Sequence, residues 1–186
     1  MARLFFALWP DASARRRLTA LARTLYGACG GRIVPAGRLH LTLAFLGEVP
    51  EARLPELCAV AERVSGRAGP LQLDRLGRWR DIVWAGCLEP PAHLLQLVAA
   101  LRQQLGAAGF AVDEPPFSPH LTLLRKAGRA PLPALEAPIV WPVADWHLVC
   151  SQLLPAGAEY RSLARWPLAA APILGPLVDA RLQENP

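Results

Sequence analysis

The chain has 186 residues, 53% of them hydrophobic and 19% charged, which supplies a sizeable core and excludes a disordered protein. Charges or prolines interrupt every apolar run well short of the roughly 20 residues that a membrane span needs. The opening run is too short for a signal peptide, so the expected compartment is the cytoplasm, with no membrane partner.

Lys and Arg number 20 against 15 for Asp and Glu, a net charge of +5, and Lys126 is the single lysine. An arginine-dominated surface suits anionic partners, although a charge of this size is common among soluble enzymes. Cys29, Cys58, Cys87 and Cys150 lie far apart, with no Cys-x-x-Cys and no histidine at ligand spacing. They read as small buried thiols, and neither a zinc site nor a disulfide framework is expected.

In chain order, residues 3–9 read as a strand, and Asp11 or Ser13 caps a helix running to about Gly27 on Leu18, Leu21, Ala22 and Leu25. Gly30-Gly31 reads as a turn, with nothing around it that resembles a phosphate-binding loop. A second strand spans 39–46, and a helix follows over about 51–65 with Leu54, Leu57, Cys58 and Ala61 inward. Strands at 71–79 and 82–88 meet at Arg80-Asp81 as a hairpin. Pro90-Pro91 opens a helix over about 92–108 on Leu94, Leu95, Val98 and Leu101, with Gly109 near its end. Further strands are predicted at 119–125, 138–141, 145–154 and near 160–166. The expected fold is therefore α+β, two pseudo-symmetric lobes of antiparallel sheet with outer helices and no linker to separate them over residues 1–170. Residues 171–186 form an Ala/Pro-rich, then polar tail that is expected to pack loosely.

One pattern stands above this background. His40-Leu41-Thr42-Leu43 recurs as His120-Leu121-Thr122-Leu123 in a chain with only four histidines and four threonines, which marks an internal repeat. On a strand, alternation turns His40 with Thr42, and His120 with Thr122, to one face while the leucines take the other. Each unit offers a proton carrier beside a hydroxyl that can bond a phosphate oxygen. Two such units across a groove would place one imidazole to take a proton from water and the other to give one to the leaving oxygen.

The stretches Leu39-His40-Leu41-Thr42-Leu43-Ala44-Phe45-Leu46-Gly47-Glu48 and Phe117-Ser118-Pro119-His120-Leu121-Thr122-Leu123-Leu124-Arg125 resemble the paired motifs of the two-histidine phosphoesterases. Within them the chain is most similar to the 2′-5′ RNA ligase family of bacterial RNA 2′,3′-cyclic phosphodiesterases. Arg3 to Leu8 resembles that family's first strand, and Leu148 to Leu168, with Ser151, Tyr160 and Trp166, its closing strands. The resemblance implies a groove between two lobes and hydrolysis of RNA terminal 2′,3′-cyclic phosphate to a 2′-phosphate end. It implies His40 as the proton donor to the leaving 3′ oxygen and His120 as the proton acceptor from water. It also implies Thr42 and Thr122 on the non-bridging oxygens, and Arg125 offsetting phosphate charge. Strict alternation from His120 sends Arg125 to the wrong face, so that role requires a strand end or a bulge. No metal or cofactor is expected, and the expected partners are RNA or oligonucleotide ends bearing the cyclic phosphate, met by a monomer.

Other candidates read as structural. His93 is expected to be exposed at a helix start, and His147 to sit on a strand in a packing role. Trp79 and Trp84 are expected to pack across the hairpin, and Arg15-Arg16-Arg17 to form a solvated helix face. Competing functions are reversible 2′-5′ ligation of RNA ends, a non-catalytic RNA-end-binding module, and a histidine metallohydrolase. The second is disfavoured because the motif supplies proton shuttles, the third because no carboxylate or third histidine lies at ligand spacing.

Overall fold

The computed structural model describes residues 1–112, 116–154 and 157–170, so the tail at 171–186 lies outside the described residues. Strand β1 (Ala2–Leu8) leads to helix α1 (Ala12–Cys29), whose first turn is capped by Asp11 Oδ1 accepting from the Ala14 N–H at 2.7 Å. The helix ends at Gly30, φ 62°, and the short strand β2 (Arg32–Ile33) follows before β3 (Leu41–Val49). Helix α2 (Leu54–Glu62) and strands β4 (Gly69–Leu73), β5 (Arg75–Trp79) and β6 (Ile82–Gly86) complete the first half. Helix α3 (Ala92–Ala107) then precedes β7 (His120–Arg125), β8 (Ile139–Val143), β9 (Asp145–Leu154) and β10 (Gly157–Pro167).

Eight strands make one sheet in the order β10-β9-β1-β3-β7-β6-β5, with β2 paired to β7, while β4 and β8 form a separate antiparallel pair. The two lobes are thus halves of one sheet, and they join where Leu41 of β3 faces Leu121 of β7. The unit β1-α1-β3 and the unit β6-α3-β7 repeat at the spacing of the two motifs, 80 positions from His40 to His120. Ala14, Leu18 and Leu25 are buried on α1, and Leu94, Val98 and Leu105 occupy the same places on α3. Both helices bury these stripes in a single cluster with Leu4, Phe6, Leu41, Leu43, Leu121 and Leu123. The opposite face of the sheet stays open to the groove.

Four expectations change. The predicted strand 71–79 is two strands, because the chain switches sheets at Asp74, whose N–H donates to the Gly86 carbonyl at 3.0 Å. On α3, Leu97 rather than Leu95 faces the core, and Leu95 is exposed. On α2, Val60 is buried, while Leu54 and Cys58 are only half-buried. His93 is half-buried rather than exposed, with its ring over Gly69 where a Cβ would sit 2.7 Å from it. The four thiols are free, and all except Cys58 are buried.

Leu121 is fully buried at the seam of the two lobes. Leu121→Ala is expected to cost about 2–5 kcal/mol by urea denaturation. Leu95→Ala, on the exposed face of α3, is expected to change stability by less than about 0.5 kcal/mol.

Candidate active site

Alternation on β3 and β7 buries Leu41, Leu43, Leu121 and Leu123 and turns His40, Thr42, His120 and Thr122 to the groove. The antiparallel register about Leu41 and Leu121 directs each histidine toward the other copy's threonine. All four side chains line one cavity of about 670 Å³, as the repeat predicted, and Arg125 lines it as well.

Arg125 reaches the cavity through a bulge. Val83 pairs with Leu124 and Trp84 with Thr122, so Leu123 is an extra residue on β7 with no partner on β6. Leu123 and Leu124 are consequently both buried, the alternation shifts by one, and Arg125 turns to the groove. The sequence pattern alone could not place that bulge, because Leu123 and Leu124 are equally apolar.

Both imidazoles are held in the same way. His40 Nδ1–H donates to the Arg38 carbonyl at 2.7 Å, and His120 Nδ1–H to the Ser118 carbonyl at 2.9 Å, two residues upstream in each case. A carbonyl can only accept, so Nδ1 carries the hydrogen and Nε2 is the nitrogen left for proton exchange in the groove.

Aromatic rings fix each imidazole from the side. His40 lies 4.9 Å from Phe5, 5.0 Å from Tyr160 and 5.6 Å from Trp9, centroid to centroid. His120 lies 4.5 Å from Trp79 and 6.4 Å from Trp84. Trp79 and Trp84 pack on each other at 4.7 Å, as expected of a hairpin pair, and in doing so also brace His120. Trp84 lies over Gly77, where a Cβ would approach its ring to 2.1 Å. Phe5 and Trp9 were not singled out from sequence, and Tyr160 was named only as part of the closing strands, with no place beside His40. The signal for them was the double-sided burial of β1, where Phe5 and Phe6 are both apolar although only one face meets the helices.

Burial holds both imidazoles below the ordinary 6.5. For His40, desolvation is opposed by the Arg38 carbonyl and assisted by the charges of Arg125 and His120. For His120, desolvation is opposed by the Ser118 carbonyl. Besides Arg125, the cavity is lined by Arg3, Arg32, Arg38 and Lys126, and no Asp, Glu or Cys is among the described lining residues. The site is therefore suited to an anion, and its described lining offers no carboxylate or thiolate to a metal.

The remaining histidines take structural places. His147 bonds Ser162 Oγ at 2.7 Å and Asp145 Oδ1 at 2.8 Å, while Asp145 Oδ2 accepts from Arg165 at 2.6 Å. That network stitches β9 to β10, in keeping with the packing role expected of it. Of the arginine triple, Arg16 and Arg17 are exposed and Arg15 donates to the Pro10 carbonyl at 3.1 Å.

Two proton carriers and two hydroxyls on one cationic groove of a duplicated sheet define a site of the phosphoesterase class. The family described as LigT like Phosphoesterase matches residues 8–84 and again 88–160, one match for each repeat, and the chain belongs to that family. It is 37% identical to the RNA 2′,3′-cyclic phosphodiesterase of Escherichia coli (strain K12) over 169 residues, 89% of this chain and 96% of that protein. The protein of the same name from Thermus thermophilus is 32% identical over 178 residues, 89% of this chain and 90% of its own length. The crystal structure of E. coli LigT complexed with 3′-AMP superposes with a TM-score of 0.83 at 35% identity, covering 90% of this chain and 98% of that one.

Histidines held neutral by burial make stability depend on pH. The unfolded chain binds protons near 6.5 where the folded chain does not, so the contribution is fully present above that value and is lost as pH falls through the folded-state values. Urea midpoints are expected to fall between about pH 7 and 5. His40→Asn, which cannot titrate, should flatten part of that fall, and an unchanged slope would show that His40 is not held neutral.

Proposed function

We propose that this protein hydrolyses the 2′,3′-cyclic phosphate at RNA ends to a 2′-phosphate by acid–base catalysis between His40 and His120. The observation that carries the reading is the matched pair of imidazoles in one groove, each anchored through Nδ1 with Nε2 turned to the cavity. A cyclic phosphate of this kind requires a ribose 2′ oxygen, so the substrate is RNA-derived.

In the reaction, His120 Nε2 takes a proton from water as the water oxygen bonds to phosphorus. The bond from phosphorus to O3′ breaks on the opposite side, and His40 Nε2–H gives its proton to that oxygen. The product has a 2′-phosphate and a free 3′ hydroxyl, with His120 protonated and His40 neutral until both exchange with solvent. Thr42 and Thr122 donate hydroxyl hydrogens to the non-bridging oxygens, and Arg125 offsets the negative charge that builds there. No step uses a metal, and the protein acts on the end of an RNA or oligonucleotide as a monomer in the cytoplasm.

Product analysis on an oligonucleotide ending in a 2′,3′-cyclic phosphate tests the reading. The product should be a 2′-phosphate end, formed equally with excess EDTA. His40→Ala and His120→Ala should each lower turnover by about two to four orders of magnitude. Thr42→Ala and Thr122→Ala should cost about tenfold to a few hundredfold, the worth of one hydrogen bond to a charged oxygen at about 1.5–3 kcal/mol. A histidine variant that retains a third of wild-type turnover, or full loss in EDTA that zinc restores, would overturn the mechanism.

The pH profile tests the roles. Catalysis needs His120 neutral and His40 protonated, so kcat/KM should follow a bell, and its centre should lie below about 6.5 because free-enzyme values govern it. Replacing His120 should remove the acidic limb, and replacing His40 the alkaline one. The opposite pairing would exchange the roles, and a flat profile between about pH 5 and 9 would end the acid–base account.

A further inference from the structure

The groove holds more positive charge than one cyclic phosphodiester requires. Beyond the two motifs, at the far end of β7, Arg32 sits directly opposite Arg125 across the β2–β7 ladder, and both side chains line the cavity. Like charges directly opposite on one sheet face repel, and a fold ordinarily avoids them or places a carboxylate between them. Among the described residues neither arginine makes an ion pair. Lys126, the next residue and the only lysine of the chain, lines the same end of the cavity with φ 55°, a left-handed backbone that a non-glycine residue adopts only when its surroundings enforce it.

The surroundings do enforce it. The Ala127 N–H donates to the Asp81 carbonyl at 2.9 Å and the Gly128 N–H to the Cys29 carbonyl at 2.7 Å. Arg78 donates to the Gly128 carbonyl and, at 2.8 Å, to that of Ala130. Just before β2, Gly31 at φ 92° lies so close to β7 that a Cβ there would be 2.6 Å from the Arg125 carbonyl oxygen. Glycine at that one place lets β2 press Arg32 against Arg125. Three cations are thus brought together on rigid backbone, against their own repulsion, with no ion-pair partner among the described residues.

We propose that Arg32 and Lys126, sharing Arg125 with the reaction centre, form a second phosphate subsite for the phosphodiester immediately 5′ of the reacting cyclic phosphate. This rests on the function proposed above and deepens it: the substrate is a chain end that carries a further phosphate rather than a lone nucleoside cyclic phosphate. At a rise of about 3.3 Å per residue, the Arg125 backbone lies about 10 Å beyond that of Thr122, less what the bulge takes up, so the long side chains meet the next phosphate of a chain whose end is held by the threonines.

The test compares a nucleoside 2′,3′-cyclic monophosphate, which has no other phosphate, with a dinucleotide that ends in the same cyclic phosphate. Wild type should favour the dinucleotide in kcat/KM. The double variant Arg32→Gln, Lys126→Gln should lower kcat/KM for the dinucleotide at least about tenfold more than for the nucleoside, and should weaken the salt dependence of the dinucleotide reaction. It should melt at or above the wild-type temperature, since it removes a repulsion. Equal losses on both substrates, or no loss on the dinucleotide, would overturn the subsite.

Calorimetric binding of a dinucleotide with a 2′-phosphate end separates this from failure of the proposed function. If wild type hydrolyses neither substrate but binding of that dinucleotide still weakens in the double variant, the subsite stands and the function falls. If hydrolysis is intact while rate and binding both ignore the two substitutions, the function stands and the subsite falls.

Discussion

The contact of Leu41 with Leu121 joins the two halves of the sheet and governs what surrounds it. Strand alternation allows only two outcomes at that contact: leucines toward the helices with His and Thr toward the groove, or the reverse. The reverse would bury four polar side chains without partners, each at a cost of about 1–3 kcal/mol, and would expose four leucines. Packing of Leu41, Leu43, Leu121 and Leu123 beneath α1 and α3 therefore orients His40, Thr42, His120 and Thr122 together. The same apolar layer that holds the fold together presents the site, so neither can be altered without the other.

The groove works against the ordinary behaviour of its own groups. Five basic side chains from Arg3 to Lys126 line it, and burial holds the two imidazoles among them below their ordinary value. An arriving anion would reverse that balance, because a bound negative charge favours the protonated imidazole. The site is pre-organised for an anion in geometry and in charge. Each Nδ1 is committed to the backbone, and the rings of Phe5, Trp9 and Tyr160 on one side and Trp79 and Trp84 on the other leave the imidazoles little freedom to turn. In the proposed mechanism that immobility leaves little reorganisation for the moment of proton transfer.

Duplication accounts for the symmetry of this arrangement, and departures from it show where the two halves have specialised. The strand–helix–strand units repeat at a constant offset, and β3 carries at Leu43, opposite β1, the bulge that β7 carries at Leu123; it turns Phe45 to the groove in one half and Arg125 in the other, and only β7 is followed by the strained Lys126. The His120 half thus ends in a cluster of cations, while the His40 half packs its histidine more deeply among aromatic rings. Burial lowers both imidazoles, and the charge of Arg125 adds to that lowering at His40.

From the sequence alone, the paired His-x-Thr motifs, their shared strand face and the leucines behind them were legible, because a period of two on a strand ties burial directly to residue type. Helix α1 was legible for the same reason, with its apolar stripe and the Asp11 cap. The split of 71–79 at Asp74 was not, since a change of sheet leaves no mark in alternation, and neither was the exchange of Leu95 for Leu97 on α3, where both residues are leucine. Arg125 shows the boundary most clearly. Its charge and its distance from His120 are facts of sequence, but its arrival in the groove depends on a Leu123 without a partner on β6, which only the neighbouring strand reveals. Chemistry was written in residue types, whereas the company each residue keeps was decided by strands far apart in the chain, whose register is a property of the packed sheet.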